Sequence, residues 1–144
     1  MMDDYYDLLE KLASIRKLRI KVINEINSRL KGVNSMDILV INAIRKGKGE
    51  YTMSDLSEIT GFSNATITSA VDSLEQRGLA ERTKGRDRRR YIITLTKKGA
   101  QKAAEIDKLK REIFADFLNK MTKEDLSKLS ETLAKFNEIM DKYV

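Results

Sequence analysis

The fold of this chain is decided by RTKGRDRRRYIITLTKKG, residues Arg82–Gly99. Its first half, Arg82–Arg90, holds six basic residues and one acid, with a glycine and an aspartate that suit a tight turn. Its second half is rich in β-branched residues and alternates with the two-residue period of a half-buried strand. The stretch predicts two strands, Leu79–Lys84 and Arg90–Leu95, joined by a basic tip.

A helix-turn-helix pattern lies directly upstream of this hairpin. Short and longer helices are predicted over 55–60 and 64–77, with Gly61 at the turn between them. The buried face of the second helix is a set of apolar residues at helical spacing, namely Ile67, Val71 and Leu74. A further helix is predicted over 36–46, and Tyr51–Met53 is expected to form one small strand.

Long helices are predicted on both sides of this central region. They cover 5–31, about 97–119 and 123–143. Hydroxyl residues that precede helices are expected to act as N-caps, because a side-chain oxygen there accepts an otherwise unpaired backbone N–H. The expected N-caps are Ser35, Ser54, Ser63, Thr96 and Thr122.

The fold class that follows is mainly α with a small β-hairpin wing, that is, α+β. It is a winged helix-turn-helix over residues 35–103, with long N- and C-terminal dimerisation helices in residues 1–34 and 104–144. The last helix carries apolar residues at alternating intervals of three and four, a seam typical of coiled coils. Packing of this seam onto the first helix of the same chain is the alternative, but long amphipathic helices at both ends favour a homodimer. The predicted dimerisation residues are Leu8, Leu12, Ile15, Leu126, Leu129, Leu133, Phe136 and Met140.

The start of helix 64–77 has the side chains expected of a recognition helix. The major groove of DNA admits one α-helix, and short polar side chains let its backbone approach the bases. The candidate DNA-binding residues of this helix are Ser63, Asn64, Ala65, Thr66, Thr68 and Ser69. Taken singly, each of them is explained as well by an N-cap or a solvated helix face.

The basic hairpin is the second candidate contact with nucleic acid. Its cations repel one another unless a polyanion neutralises them, and an arginine on a thin ribbon can enter an A·T-rich minor groove. The candidate residues are Arg82, Lys84, Arg86, Arg88, Arg89 and Arg90. Asp87 is expected to be structural, pairing with an arginine or capping the turn so that Arg88 and Arg89 point outward. A generic solvated loop is the alternative for some of these residues, and Arg82 and Lys84 could simply follow the backbone.

Composition agrees with an anionic partner and argues against other classes. The net charge is +6, and residues 45–102 carry all of the excess, with 13 basic and 7 acidic residues. The chain lacks Cys and His, so disulfides, thiolate or imidazole metal sites and the commonest general base are excluded. No cofactor and no metal are expected, and an enzyme is the weakest class. No apolar run approaches the roughly 18 residues that a bilayer requires, and the acidic N-terminus is unlike a signal peptide. A cytoplasmic protein without a membrane partner is therefore expected.

These features together resemble the MarR family of winged helix-turn-helix transcription regulators. The resemblance covers nearly the whole helix order and rests on four short motifs: Leu74-Glu75, Gly78-Leu79, Asp87-Arg88-Arg89 and Leu95-Thr96-Lys97-Lys98-Gly99. It implies a homodimer formed by the first and last helices, with recognition helices in successive major grooves of double-stranded DNA and wing arginines in flanking minor grooves. A repressor that acts by occlusion on a pseudo-palindromic operator is expected.

The resemblance also implies a small organic, for example phenolic, effector, which the residues themselves do not establish. Tyr5, Tyr6, Arg16 and Arg19 could line a pocket for an organic anion, although surface and dimer packing explains them more simply. The cysteine-based and metal-based sensing of other family branches is not expected here. Two other classes stay open: an architectural protein that binds DNA through charge alone, and a helical protein whose winged helix binds another protein.

Overall fold

The structure is a computed structural model that describes every residue except Arg88. The described chain forms six helices and one antiparallel two-stranded sheet, so the predicted fold class is confirmed. In order, the elements are α1 (Met2–Arg29), α2 (Ser35–Lys46), α3 (Met53–Thr60), α4 (Asn64–Gln76), β1 (Ala80–Lys84), β2 (Tyr91–Leu95), α5 (Lys97–Leu118) and α6 (Lys123–Tyr143). The chain divides into two compact units, Met1–Lys110 and Arg111–Val144.

The core of the first unit lies among α2, α3, α4 and the hairpin. The predicted inner face of α4 is fully buried, since Ile67, Val71 and Leu74 are all 0% exposed. α2 packs against α3, α4 and β2, and α1 packs on α2 through its C-terminal half, where Val22 and Ile26 are buried. The helix-turn-helix is therefore held by its contacts with α2 and the hairpin.

Two helix starts differ from the sequence-based prediction. Asn34, and not Ser35, caps α2, and Thr52, and not Ser54, caps α3. In both cases the cap accepts the backbone N–H of an aspartate three residues on, and that carboxylate accepts the backbone N–H of the cap. This reciprocal capping box satisfies two unpaired N–H groups, whereas a serine one or two positions later would satisfy one. Ser35 instead accepts a hydrogen bond from the Asn27 amide at 2.7 Å.

The other predicted caps are confirmed. Ser63 accepts the backbone N–H of Thr66 at 3.1 Å, and Thr96 accepts that of Gly99 at 3.0 Å. Thr122 accepts that of Asp125 at 3.1 Å. Between α3 and α4, Gly61 has φ +75°, a backbone conformation that only glycine adopts without strain, so the chain turns sharply there.

The two strands pair in the register Ala80 with Leu95 through Lys84 with Tyr91. The segment before α3 adds an isolated antiparallel bridge between Thr52 and Ile92, and the Ile93 N–H donates to the Tyr51 carbonyl at 2.9 Å. The predicted small strand at Tyr51–Met53 is thus reduced to this bridge. Through it the middle of β2 is hydrogen-bonded to the start of the helix-turn-helix.

The terminal helices expose apolar side chains. In α1, Leu8, Leu12 and Ile15 are 57%, 36% and 47% exposed. α6 has no buried residue, and Leu129, Leu133 and Met140 are 37%, 42% and 37% exposed. The other two seam residues, Leu126 and Phe136, are half-buried. None of the described helices combines the length and the hydropathy that spanning a membrane requires.

Candidate nucleic-acid interface

The start of α4 presents short side chains, as a recognition helix requires. Ser63, Asn64, Ala65 and Ser69 are exposed, and Thr66 and Thr68 are half-buried. The Ser63 hydroxyl also contacts the Thr66 hydroxyl at 2.8 Å. These two hydroxyls therefore organise the first turn of the helix, while the Asn64 amide makes no side-chain hydrogen bond within the described chain.

One outward face of α4 continues beyond the predicted residues. Ala65, Thr68 and Ser69 line a shallow surface together with Asp72, Ser73 and Gln76. The last three follow the first three at helical spacing, so this face is also encoded in the sequence. The face is polar and carries one carboxylate, and no residue of α4 is basic.

The tip of the hairpin is ordered by Asp87. Its carboxylate accepts the backbone N–H of Arg89 at 3.1 Å, and its carbonyl accepts that of Arg90 at 2.9 Å. A third hydrogen bond, from the Gly85 N–H to the Arg90 carbonyl at 2.9 Å, closes the loop. This is the turn-capping geometry that the structural hypothesis for Asp87 requires. Arg88, also predicted to contact DNA, lies outside the described residues.

The cations of the hairpin fall into two groups. Lys84, Arg86, Arg89 and Arg90 are exposed, and none of them forms an ion pair with another described residue. Arg82 is different, because its guanidinium contacts Asp72 and Glu75 of α4. The exposed group makes a polycationic tip whose charge is not neutralised by the rest of the described chain.

The start of α3 lies close to the hairpin. A groove of about 360 Å³ separates them and is lined by residues that include Thr52, Asp55, Arg90 and Tyr91. The pKa of Asp55 is lowered, first by hydrogen bonds from the Thr52 backbone and hydroxyl and further by the positive charge of Arg90. The Asp55 carboxylate therefore stays ionised while it caps α3. The Arg90 side chain itself remains exposed.

The far end of α4 is anchored by an ion pair whose carboxylate is buried and whose guanidinium is half-buried. Arg77 donates two hydrogen bonds to the Asp37 carboxylate, at 2.6 and 2.8 Å, and Asp37 is only 3% exposed. The same guanidinium donates to the Gly32 carbonyl and to Ser73. Hydrogen bonding to Asp37 raises the pKa of Arg77, so the pair stays charged. Sequence reasoning missed this anchor, because the two residues lie 40 positions apart.

Among the described residues, no group of three or more carboxylate, Cys or His side chains is arranged to hold a metal ion. The candidate site consists of a short polar helix face, a cationic hairpin and the contacts that hold both of them on one lobe. This lobe is formed by α2, α3, α4, β1 and β2.

Comparison with known proteins shows which family this lobe resembles. The sequence model of the MarR family matches residues 31–90, which run from the turn before α2 to the residue before β2. This part of the chain is similar to the MarR family. The recognition of a MarR-type winged helix from the sequence is thereby confirmed.

Individual relatives agree with this assignment. The HTH-type transcriptional repressor MdtR of Bacillus subtilis is 29% identical over 105 residues, which are 72% of this chain and 67% of MdtR. An uncharacterized protein of Pyrococcus horikoshii, PH0614, is 35% identical over 69 residues, and the chain spans only a fifth of its length.

Solved structures show the same fold over almost the whole chain. The transcriptional regulator BldR of Sulfolobus solfataricus superposes with a TM-score of 0.75 at 26% identity, covering 99% of this chain and 98% of BldR. FabT of Streptococcus pneumoniae, solved in complex with DNA, gives 0.74 at 24% identity, covering 97% of this chain and 99% of FabT. The similarity in fold thus extends beyond residues 31–90, the part matched by the family's sequence model.

Proposed function

We propose that this protein is a member of the MarR family and a sequence-specific regulator of transcription that binds double-stranded DNA, and not an enzyme. The observation that carries the proposal is the pairing, on one lobe, of a short polar helix face with a tip of exposed cations. Such a tip costs electrostatic free energy in the free protein and regains it against phosphate. The predicted cytoplasmic location belongs to this proposal, because a regulator acts where the DNA is.

In this proposal α4 reads sequence and the hairpin supplies affinity. Side chains at the start of α4 reach base edges in the major groove, where an asparagine pairs bidentately with adenine. Arg86, Arg89 and Arg90 contact phosphates or a flanking A·T-rich minor groove, whose narrow walls concentrate negative potential. Asp87 holds the turn that presents them.

The active form is proposed to be a homodimer held by residues 1–34 and 104–144, with residues 35–103 as its DNA-binding part. The support is the exposed apolar stripe on α1 and the seam on α6, which a monomer leaves in water. A two-fold dimer places two recognition helices on half-sites about one helical turn apart. Bound to such an operator, the dimer represses by excluding polymerase or an activator.

The Asn64→Ala variant tests the proposal that α4 reads bases. We expect it to lose about 1–3 kcal/mol of discrimination at one defined base pair per half-site, because the bidentate amide is removed. The measurement is selection of random duplexes on the purified protein, followed by competition binding against single-base variants of the selected sequence. Asn119→Ala makes the same chemical change at an exposed site on the other unit and should leave the preference intact.

Two outcomes would contradict the proposal. Selection that enriches no motif, with affinity that falls steeply with salt on every duplex, would favour the architectural alternative. Failure to shift any duplex would favour a protein partner for the winged helix.

We further propose that a small organic anion modulates DNA binding at a cleft between α1, α2 and the end of α3. The cleft measures about 170 Å³ and combines apolar and cationic lining. Its lining residues are Arg19, Leu39, Asn42, Ala43, Lys46, Ile59, Thr60 and Phe62. Tyr5 and Tyr6, candidates for such a pocket in the sequence, are exposed and do not line it.

The charge around this cleft favours an anion. Burial lowers the pKa of Lys110, and the positive charges of Arg45, Lys46 and Arg19 lower it further. Asp107 offsets Arg45 by an ion pair, but Arg19 and Lys46 form no ion pair with any described residue. A bound carboxylate would relieve this repulsion.

Benzoate is the probe for this effector site, with benzyl alcohol as the uncharged control of similar shape. We expect millimolar benzoate to weaken binding of the selected duplex several-fold, because it shifts the dimer toward a state with less affinity for DNA. The Lys46→Gln variant should bind DNA normally and lose most of the response. An equal response to benzyl alcohol, or an unchanged response in the variant, would refute the site.

A further inference from the structure

Arg82 is the one described cation of the hairpin that is held by carboxylates. It lies in the middle of β1, opposite Ile93, and its guanidinium contacts Asp72 through Nη2 and Glu75 through Nε, the latter at 2.6 Å. Asp72 and Glu75 lie one helical turn apart on α4. The contact therefore holds the wing to the recognition helix at two points.

The buried oxygen of Glu75 depends on Arg82 for its charge compensation. Its Oε1 atom is buried and accepts no hydrogen bond within the described part of the chain, so the ionic contact with Arg82 Nε is its compensation. The carboxylate is only 32% exposed. Without Arg82, a partly buried negative charge would lose its counter-ion, which is unfavourable.

The position of Asp72 connects this ion pair with DNA binding. It shares the outward face of α4 with Ala65, Thr68 and Ser69 and is 52% exposed. α4 has two carboxylates and no basic residue, so its own charge would repel phosphates. Arg82 is the cation that offsets this charge on the face proposed to enter the major groove.

We infer that Arg82 is a positioning residue and not a phosphate contact. It fixes the angle between the wing and α4 and shields Asp72, so that both elements meet adjacent grooves in one register. This inference rests on the proposed DNA-binding function. It departs from the prediction that groups Arg82 with the DNA-contacting cations, because its donors face α4.

The test is the salt dependence of binding to the selected duplex. Losing one phosphate contact lowers the slope of log K against log salt by about 0.9. Arg86→Gln, which removes an exposed tip cation, should lower the slope by about that amount for each wing. Arg82→Gln should reduce affinity roughly tenfold or more and leave the slope within error of the parent.

Two further variants make the test independent of a folding defect. Asp72→Asn in the Arg82→Gln background should recover part of the lost affinity, since the unshielded carboxylate is gone. Arg82→Lys keeps the charge but lacks the planar fork that spans two carboxylates, so it should remain several-fold weaker than the parent. Thermal unfolding of each variant shows that binding is measured on folded protein.

The inference is overturned if Arg82→Gln lowers the slope as Arg86→Gln does, if Arg82→Lys binds like the parent, or if Asp72→Asn rescues nothing. Each of these results leaves the parent protein bound to its duplex, so the proposed function survives them. A parent protein that prefers no duplex is the separate result that defeats the function itself.

Discussion

Replacing Arg77 by Met is expected to lower the free energy of unfolding by about 3 kcal/mol. Breaking a buried ion pair costs about 3–5 kcal/mol, because the remaining buried charge loses its counter-ion. Asp37 would keep the backbone N–H of Asn34 but lose both guanidinium bonds. The lower end of the range applies because the Arg77 side chain is 33% exposed, so water can enter where it lay.

The measurement is urea unfolding followed by circular dichroism. Arg29→Met is the matched control, since it breaks an exposed i,i+4 pair with Glu25 and should change stability by less than about 0.5 kcal/mol. The double variant Asp37→Leu/Arg77→Met should recover part of the loss, because no uncompensated charge stays buried, while the Asn34 N–H loses its carboxylate acceptor. An Arg77→Met protein as stable as the Arg29→Met control would contradict the anchoring role.

Replacing Gly99 by Ala is expected to lower the free energy of unfolding by about 1–3 kcal/mol, the usual cost of forcing extra atoms into a packed site. A Cβ at this position would lie 1.8 Å from the Leu79 carbonyl oxygen, which is backbone and cannot rotate away. The approach is close because Thr96 holds the start of α5 against the turn between α4 and β1. Its hydroxyl donates to the Gly78 carbonyl at 2.5 Å, and its N–H donates to the Leu79 carbonyl at 3.1 Å.

The direction of the change in stability distinguishes a packed glycine site from an open one. In an open helix, glycine to alanine stabilises by about 0.5–1 kcal/mol. Thermal unfolding should give a lower Tm for Gly99→Ala and an unchanged or higher Tm for Lys97→Ala at an exposed position of the same turn. A rise in Tm for Gly99→Ala would show that α5 does not pack against the backbone at Leu79.

The parts of this protein that the sequence predicted are those encoded by local spacing. The alternation in β2, the buried face of α4 and the caps Ser63, Thr96 and Thr122 all depend on residues within four positions of one another. The capping boxes at Asn34 and Thr52 were equally local, but serines next to them offered a competing cap, and only the aspartates three residues on distinguish the two.

What the sequence could not give depends on distant parts of the chain. Arg77 and Asp37 meet because α4 packs against α2, and Arg82 turns toward α4 because the hairpin folds back onto it. Neither pairing leaves a periodic signal, so a basic residue in the hairpin looks the same whether it faces phosphate or a carboxylate. The site residues beyond these two contacts remain predictions to be tested on DNA.

The most direct test of the account is hydroxyl-radical footprinting of the protein on its selected duplex, with the complex isolated by sedimentation. The account predicts two chains per duplex and two symmetry-related protected segments centred about one helical turn apart, roughly 34 Å, with weaker protection in the flanking minor grooves. A complex with one chain, one protected segment, or uniform protection without symmetry would contradict it.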